Sequence, residues 1–268
     1  MRAAARALAC LAPLIASCAA VPVPRSSVFH PSDAALGVTR VVHGTFVLEL
    51  RGTRLLVDPW FHSGFFVRQR EPLGLTPRTL PSLAAVLVSS DDPERFDARA
   101  LRDLAATVPR AVAPPALRRR LLGLGFRDVI ALAWWESATV DGATVTAVPT
   151  RTPGVNGWVV ATSDVRCFIA GPTAAGPYLA QIAAAFPRLD VAILPIGGDM
   201  TPAQAAAAAA TLQAARVIPS AYGAQPRVPF GSSSTDALDR FRTAMAARGL
   251  EARVLAIETG ESWHYGKP

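Results

Sequence analysis

Residues 38–61 read VTRVVHGTFVLELRGTRLLVDPWF, and this stretch decides the fold of the chain. Its three short segments, VTRVVH, TFVLEL and TRLLVD, are rich in β-branched and aliphatic residues, and Arg51 and Gly52 separate the last two. Segments of this composition are typical of strands, and a two-residue connection that ends in glycine is typical of a hairpin. The stretch therefore predicts an antiparallel meander.

Strand and helix patterns continue outward from this meander and start again after a second hairpin at Asp141 and Gly142. The first half adds the buried strand AAVLVSS, a helix capped by Asp97, a helix that begins at Pro115 and the strand DVIAL. The second half adds GWVVATS and VRCFIAG, then helices that alternate with DVAILP, RVIP and a last strand ARVLAI at residues 252–257. Meanders followed by helix–strand units predict an α/β four-layer αββα sandwich, in which two mixed sheets are flanked by helices.

The first residues indicate export. Arg2 and Arg6 precede an apolar stretch that is too short to span a bilayer, and its end, Ile15-Ala16-Ser17-Cys18, resembles the lipobox of bacterial lipoproteins. We therefore expect a signal peptide at 1–17, lipidation of Cys18, a tether at 18–36 and one domain at 37–268. The resemblance implies attachment to the cell envelope, at the outer membrane facing the periplasm. The alternative is an ordinary signal peptide cleaved near Ala19 or Ala20.

Charge and cysteine usage narrow the function classes. The chain has a formal net charge of +7, and nearly all of its cations are arginine. No basic stripe with interleaved aromatic residues is present, so we expect no nucleic-acid binding. After loss of Cys10 and lipidation of Cys18, only Cys167 remains free, in the apolar run VRCFIAG, which leaves no internal disulfide.

Four stretches together resemble one family of hydrolases across nearly the whole mature chain. They are VTRVVHGTFVLELRGTRLLVDPWF (38–61), LGFRDVIALAWWESATVDGATVTAVP (124–149), CFIAGPTAAGP (167–177) and DVAILPIGGDMTPAQA (190–205). In this order they resemble metallo-β-lactamase-fold hydrolases of the N-acyl-phosphatidylethanolamine phospholipase D and ascorbate-6-phosphate lactonase type. The resemblance implies the sandwich fold and, in intact members, two metal ions held by an HxHxDH motif and further ligands.

The metal ligands that the resemblance implies are missing from this chain. Where the family has the HxHxDH motif, the sequence is VLVSSDDPERFD, and the later histidine, aspartate and histidine positions also carry other residues. The seven corresponding positions are Ser90, Asp92, Glu94, Arg95, Thr152, Pro172 and Ala221. Zinc at such a site needs imidazole nitrogens and a carboxylate, and an arginine adds a fixed positive charge where a cation would bind. We therefore expect the di-zinc site to be lost and no cofactor.

Some polar residues near the lost metal-ligand positions still match the family's pattern. His43 and Asp58 match the family, and the resemblance puts four more acidic residues near the same mouth: Asp91, Asp92, Glu94 and Asp199. An oxygen-rich cluster of this kind suits one Ca²⁺ or Mg²⁺ ion. The alternative is structural: Asp58 and His43 hold loops, while 91–95 form a solvated, self-paired turn. The catalytic candidates are His43, Asp58, Asp92, Glu94 and Asp199.

Three functions remain open at this point. The first is a non-catalytic relative that uses the sandwich to bind a small molecule or an envelope protein. The second is a divergent hydrolase of phosphodiesters, lactones or lipid-like esters, through another divalent ion or metal-free acid–base chemistry between His43 and a carboxylate. The third is a scaffold held at the membrane through the lipid on Cys18.

Overall fold

The computed structural model describes residues 28–64, 67–226 and 236–266. The predicted signal peptide, Cys18 and most of the predicted tether lie outside the described residues. Two mixed sheets face each other with helices on both outer sides, so the predicted α/β sandwich is confirmed. No helix in the described part of the chain has the length and apolar character needed to cross a membrane.

The first sheet contains the predicted meander. Its seven strands are ordered β15-β1-β2-β3-β5-β6-β7, and β1 to β3 pair antiparallel while β3, β5, β6 and β7 pair parallel. The strands are β1 (Leu36–Val42), β2 (Thr45–Leu50), β3 (Thr53–Val57), β5 (Ala85–Leu87), β6 (Arg110–Ala113), β7 (Asp128–Ala131) and β15 (Ser262–Tyr265). Arg51 and Gly52 both have positive φ, 47° and 87°, as a tight hairpin turn requires.

The second sheet has six strands in the order β13-β12-β11-β10-β9-β8. They are β8 (Ser137–Val140), β9 (Ala143–Val148), β10 (Gly157–Ala161), β11 (Arg166–Ile169), β12 (Val191–Pro195) and β13 (Arg216–Ser220). The strands β8 to β11 form antiparallel hairpins, and β12 and β13 are added parallel. A separate two-stranded sheet joins β4 (Val67–Gln69) to β14 (Ala224–Pro226).

Three apolar clusters hold the four layers together. The inner faces of the two sheets meet in a core that includes Leu48, Trp158 and Ile193. Helices α1 (Ala98–Ala105) and α2 (Arg118–Gly123) pack on the outside of the first sheet. Helices α3 (Tyr178–Ala185), α4 (Pro202–Leu212) and α5 (Ala237–Ala246) pack on the outside of the second. Because burial of apolar area is the main stabilising term in folding, each sheet is stabilised on both faces.

The predicted last strand at 252–257 is wrong. A 3₁₀ turn occupies Glu251–Arg253, and Val254 makes a single parallel bridge to Val217. The N–H of Leu255 donates to the Val217 carbonyl at 2.8 Å, and the next bond of a parallel ladder requires an N–H from Pro219. Proline has none, so the ladder stops after one bridge. Three further strands, β4, β14 and β15, were not predicted from the sequence.

Candidate functional site

The candidate residues lie at one edge of the sandwich, beyond the ends of several strands. His43 follows β1, Asp58 follows β3, the segment 89–95 follows β5, Asp199 follows β12 and Ala221 follows β13. This edge, with the cleft between the two sheets, is called the cleft edge below. Loops at the carboxyl ends of parallel strands are where α/β folds commonly carry their sites.

His43 joins the two sheets across the cleft edge. Its backbone carbonyl accepts a hydrogen bond from the Ala221 N–H at 3.1 Å, and its Nδ1 accepts one from the Gly223 N–H at 3.1 Å. Because a backbone N–H only donates, Nδ1 carries no proton, and the neutral ring has its proton on Nε2. Burial lowers the pKa of His43, against the opposing effect of Glu94. The bond from Gly223 also favours the neutral form, since protonated Nδ1 is no acceptor.

The Nε2 atom of His43 faces Glu94. The distance from Nε2 to Glu94 Oε2 is 3.0 Å, yet Nε2 has no aligned hydrogen-bond partner among the described residues. The His43 side chain is only 3% exposed. Burial raises the pKa of Glu94, but His43 and Arg95 outweigh it and hold this pKa below its ordinary value. Glu94 is therefore a carboxylate at neutral pH.

Arg95 crosses the cleft edge as a buried cation. Its Nη1 donates to Asp58 Oδ2 at 3.2 Å, and its Nη2 lies 3.6 Å from Asp199 Oδ2. The other oxygen of Asp58 accepts a hydrogen bond from the Ser89 N–H at 2.7 Å. Burial raises the pKa of Asp58, opposed by Arg95 and Ser89. Asp58, Arg95 and Asp199 thus form an ion-pair network with the guanidinium at its centre.

Only part of the predicted acidic set converges. Asp92 and Glu94 both lie close enough to Asp199 to raise its pKa, against the opposing effect of Arg95. Asp91 is exposed and pairs with Arg120 at 3.7 Å, so its predicted place at the mouth is wrong. The expectation of a solvated turn at 91–95 is correct for residues 91–93 but wrong for Arg95, which is buried because it partners Asp58.

The other predicted ligand positions offer no strong metal donor. Ser90 Oγ donates to Asp92 Oδ2 at 2.8 Å, and Thr152 is exposed in its loop. Pro172 and Ala221 are buried. Within the described ranges, no group of three or more His, Cys, Asp or Glu side chains is arranged to hold a metal ion. This donor set, with Arg95 among it, does not fit a zinc pair.

Two buried polar contacts that the sequence did not predict support the cleft edge. Trp158 Nε1 donates to Ser89 Oγ at 2.9 Å and so links the second sheet to the Asp58 network. Beneath His43, Arg40 is buried, makes two hydrogen bonds to Glu71 at 2.9 and 2.7 Å, and stacks on Tyr222 at 4.3 Å. The single signal for Arg40 was a charged residue inside an apolar strand.

A cavity of about 380 Å³ opens beside His43 and Glu94. Its wall continues along the segment after β12, through Met200 to the start of α4, and includes Arg240 of α5. Thirteen of the described residues line it: His43, Val67, Glu94, Ile196, Gly197, Gly198, Met200, Thr201, Pro202, Ala221, Ala224, Ala237 and Arg240. Most of these are apolar or glycine, so the charged groups stand on a largely apolar wall.

A protein-family comparison and a comparison with curated proteins identify related sequences. Residues 53–221 match the family described as beta-lactamase superfamily domain. Uncharacterized protein Rv0906 of Mycobacterium tuberculosis is 29% identical over 69% of this chain, and Uncharacterized protein Mb0930 of Mycobacterium bovis matches equally. The chain spans 56% of the length of these relatives.

Solved structures share the fold at low sequence identity. Igni18, a metallo hydrolase from Ignicoccus hospitalis, superposes with a TM-score of 0.70 at 19% identity, covering 87% of this chain and 99% of that one. An isothiocyanate hydrolase from Delia radicum gut bacteria gives 0.68 at 17%, covering 86% and 99%. CmlA, a diiron β-hydroxylase from Streptomyces venezuelae, gives 0.69 at 17%, covering 88% and 55%. At these identities the likeness establishes the fold and not the activity.

Proposed function

The chain belongs to the beta-lactamase superfamily domain family, and from this premise we propose that it is a non-catalytic, membrane-tethered relative of the metal-dependent hydrolases. Its cleft edge serves to bind a ligand or partner, with an internal ion pair where the family's metal ions act. The resemblance to the phospholipase D and lactonase branch belongs to the same proposal.

The observation that carries this proposal is the position of Arg95. Its guanidinium lies between Asp58 and Asp199, at 3.2 and 3.6 Å, and is 5% exposed. An arginine side chain keeps its charge at physiological pH and donates without accepting. A divalent ion beside it would meet direct repulsion in a buried, weakly screened environment. The carboxylates that would attract a metal ion are already compensated.

His43 supports the same conclusion. A metal ligand or general base needs a free lone pair on the imidazole. The Nδ1 lone pair accepts the Gly223 N–H, and Nε2 carries the proton that faces Glu94. To act as a ligand, the ring has to lose its bond to Gly223 or give up the Nε2 proton.

The membrane part of the proposal rests on the sequence alone. The segment 1–17 has the charges and apolar length of an export signal, and Cys18 ends a lipobox-like motif. A multiply acylated cysteine is sufficient to hold a domain on a membrane. The soluble domain then faces the periplasm on a tether that ends near residue 36.

One observation favours a second candidate, a hydrolase without metal. Glu94 is a carboxylate at the cavity wall, 3.0 Å from His43 Nε2. Such a carboxylate is able to accept a proton from water during attack on an ester or lactone. The non-catalytic proposal predicts no turnover of phosphodiester, lactone or acyl-ester probes. Turnover that is lost in Glu94→Gln and kept in the surface control Glu251→Gln favours the hydrolase.

Metal analysis tests the proposal. The full-length chain is purified without chelator, and its zinc, iron, manganese and calcium contents are measured by mass spectrometry. Arg95→His, which restores the residue type that the resemblance implies, serves as the comparison variant. We expect less than about one-tenth of an ion per chain in the wild type. One or two ions per wild-type chain, reduced in His43→Asn, contradict the proposal.

A further inference from the structure

A group of arginines lies at the edge of the sandwich opposite the cleft edge. The parallel strands β11, β12 and β13 run toward the cleft edge and therefore begin at this opposite edge. Arg166 and Arg216 are the first residues of β11 and β13, and Arg188 lies shortly before β12. Arg248 and Arg253 follow α5, which starts at the cavity and runs away from it. These five arginines are called the basic edge below.

The positive charge of the basic edge is not compensated by ion pairs. Four of its guanidinium groups donate through Nη1 to backbone carbonyls at 3.0 to 3.2 Å, those of Arg166, Arg216, Arg248 and Arg253. None of the five arginines forms an ion pair with a carboxylate in the part of the chain that the structure describes. A carbonyl orients a guanidinium without neutralising it, so the positive charge remains available to a partner.

Two acidic residues lie among these arginines. Asp190 accepts a backbone N–H at 2.8 Å and the Tyr265 hydroxyl at 2.9 Å, and Glu251 is exposed. Asp164, in the neighbouring turn, is already paired with Arg51. Five arginines against Asp190 and Glu251 leave an excess of three positive charges at this edge. Such an excess attracts an anionic surface and repels a cationic one.

The chain enters the domain at this same edge. Leu36, the first residue of β1, is paired with Tyr265, whose hydroxyl donates to Asp190 among the arginines. Before β1, the Ser32 N–H donates to Glu49 Oε2 at 2.9 Å, close to the β2–β3 hairpin at the same end of the sandwich. The polypeptide that leads to the predicted lipid therefore leaves the domain beside the basic edge.

We infer that the basic edge is a docking surface for an anionic phospholipid membrane, and that the docked domain turns its cleft edge away from the lipid. This inference rests on the proposed tether and specifies which face of the domain meets the membrane. Ten residues separate Cys18 from Val28, where the described chain starts, and at about 3.5 Å per residue they span at most about 35 Å. A lipid on Cys18 thus keeps the arginines at a high effective concentration near the phosphate headgroups.

Fluorescent labels at two single positions test this orientation. Cys167 is buried, so Ser163→Cys gives one reactive thiol in the turn before Arg166, and Thr152→Cys gives one at the cleft edge. The chain is purified from bacterial membranes and reconstituted in phosphatidylcholine vesicles, with or without phosphatidylglycerol, that carry a nitroxide quencher on their headgroups. We expect the label at position 163 to be quenched only in the anionic vesicles, and the label at position 152 to stay bright in both.

Charge variants test the part that the arginines play. Arg166→Gln combined with Arg216→Gln is expected to lower the ratio of docked to undocked domains at least about tenfold, because each arginine near an anionic surface contributes about fivefold. The matched control combines Arg99→Gln with Arg119→Gln, which removes two exposed arginines from α1 and α2, and should keep wild-type quenching. High salt should release the wild-type domain without any substitution.

Flotation of the same vesicles separates failure of the docking surface from failure of the tether. A chain that floats with anionic vesicles while the label at position 163 stays bright overturns the docking surface and leaves the tether intact. Equal quenching at both positions, or quenching that does not depend on phosphatidylglycerol, also overturns it. A chain that does not float contradicts the proposed tether and, with it, this inference.

Discussion

Arg95 and Asp58 form an ion pair at the cleft edge in which both side chains are almost completely buried, with Nη1 and Oδ2 3.2 Å apart. Removal of the cation leaves Asp58 as an uncompensated carboxyl group in the protein interior. Removal of one partner of a buried pair usually costs far more than the pair itself contributes. Because of this ion pair, we expect the free energy of unfolding to depend on Arg95.

The first prediction concerns this pair. Arg95→Met is expected to lower the free energy of unfolding by about 3–5 kcal/mol, because Asp58 loses its partner in the interior. Urea denaturation followed by circular dichroism measures the change. The matched control Arg242→Met removes an exposed i,i+3 pair and is expected to cost less than about 0.5 kcal/mol. Equal losses in the two variants argue against a buried ion pair.

The second prediction concerns pH and follows from the lowered pKa of His43. Unfolding raises this pKa to its ordinary value of 6.5, so below that pH the unfolded state binds the additional proton. The stability contributed by neutral His43 is present above pH 6.5 and is lost as pH falls through the lower, folded pKa. We expect a slope of up to about 1.4 kcal/mol per pH unit between the folded pKa and pH 6.5, with stability falling as pH falls.

Denaturation series at several pH values test this dependence in the wild type and two variants. His43→Asn should flatten the slope just below pH 6.5, whereas the exposed control His30→Gln should keep it. The lowered pKa of Glu94 acts in the same direction, but only below its ordinary value of 4.5. The raised pKa values of Asp58 and Asp199 act in the opposite direction, at pH values from 3.8 up to their folded pKa values. An unchanged slope in His43→Asn contradicts the assignment.

The third prediction concerns the link between the sheets at Ser89. Ser89→Ala removes the oxygen that accepts from Trp158 Nε1 and leaves a buried N–H without its partner. The expected cost is about 1–3 kcal/mol in the free energy of unfolding. Ser137→Ala, which breaks a partly buried bond to Thr146 on the outer hairpin, is the control and should cost less. Thermal or urea unfolding measures the free energy of unfolding of both variants. If Ser89→Ala leaves it unchanged, the hydrogen bond from Trp158 does not stabilise the link between the sheets.

The fourth prediction concerns the membrane anchor. Cys18→Ala removes the only acceptor for the predicted lipid, so the protein should move from the membrane fraction to the soluble periplasmic fraction after cell lysis. Cys167→Ala is the matched control, because Cys167 is buried in β11 and far from the predicted anchor in sequence. Membrane attachment that persists in Cys18→Ala indicates another mode of association.

The scaffold was predictable because its signals are local. The Arg51-Gly52 turn and the Asp97 cap each depend on a few neighbouring residues, and the structure confirms both. The failed strand at 252–257 depends on Pro219, which lies more than thirty residues earlier in the chain. Local composition carries no information about that missing N–H.

The site was predictable in part, because a resemblance aligns positions but does not orient side chains. The structure brings His43, Asp58, Glu94, Arg95 and Asp199 together at one edge, although they come from distant segments. The resemblance did not anticipate that Asp91 turns outward to Arg120. It also missed the Gly223 bond that fixes the His43 tautomer, since a backbone donor leaves no mark in the sequence.

The most direct test of the account is a zinc titration of the full-length chain, followed through the imidazole nitrogens of His43 by two-bond proton–nitrogen NMR. We predict an Nε2–H tautomer in the metal-free protein and no change in either nitrogen shift when zinc is added. Metal coordination instead moves the coordinating nitrogen and removes the Nε2 proton or the bond from Gly223. A saturable zinc-dependent shift at His43 would contradict the claim that Arg95 and this tautomer have replaced the metal site.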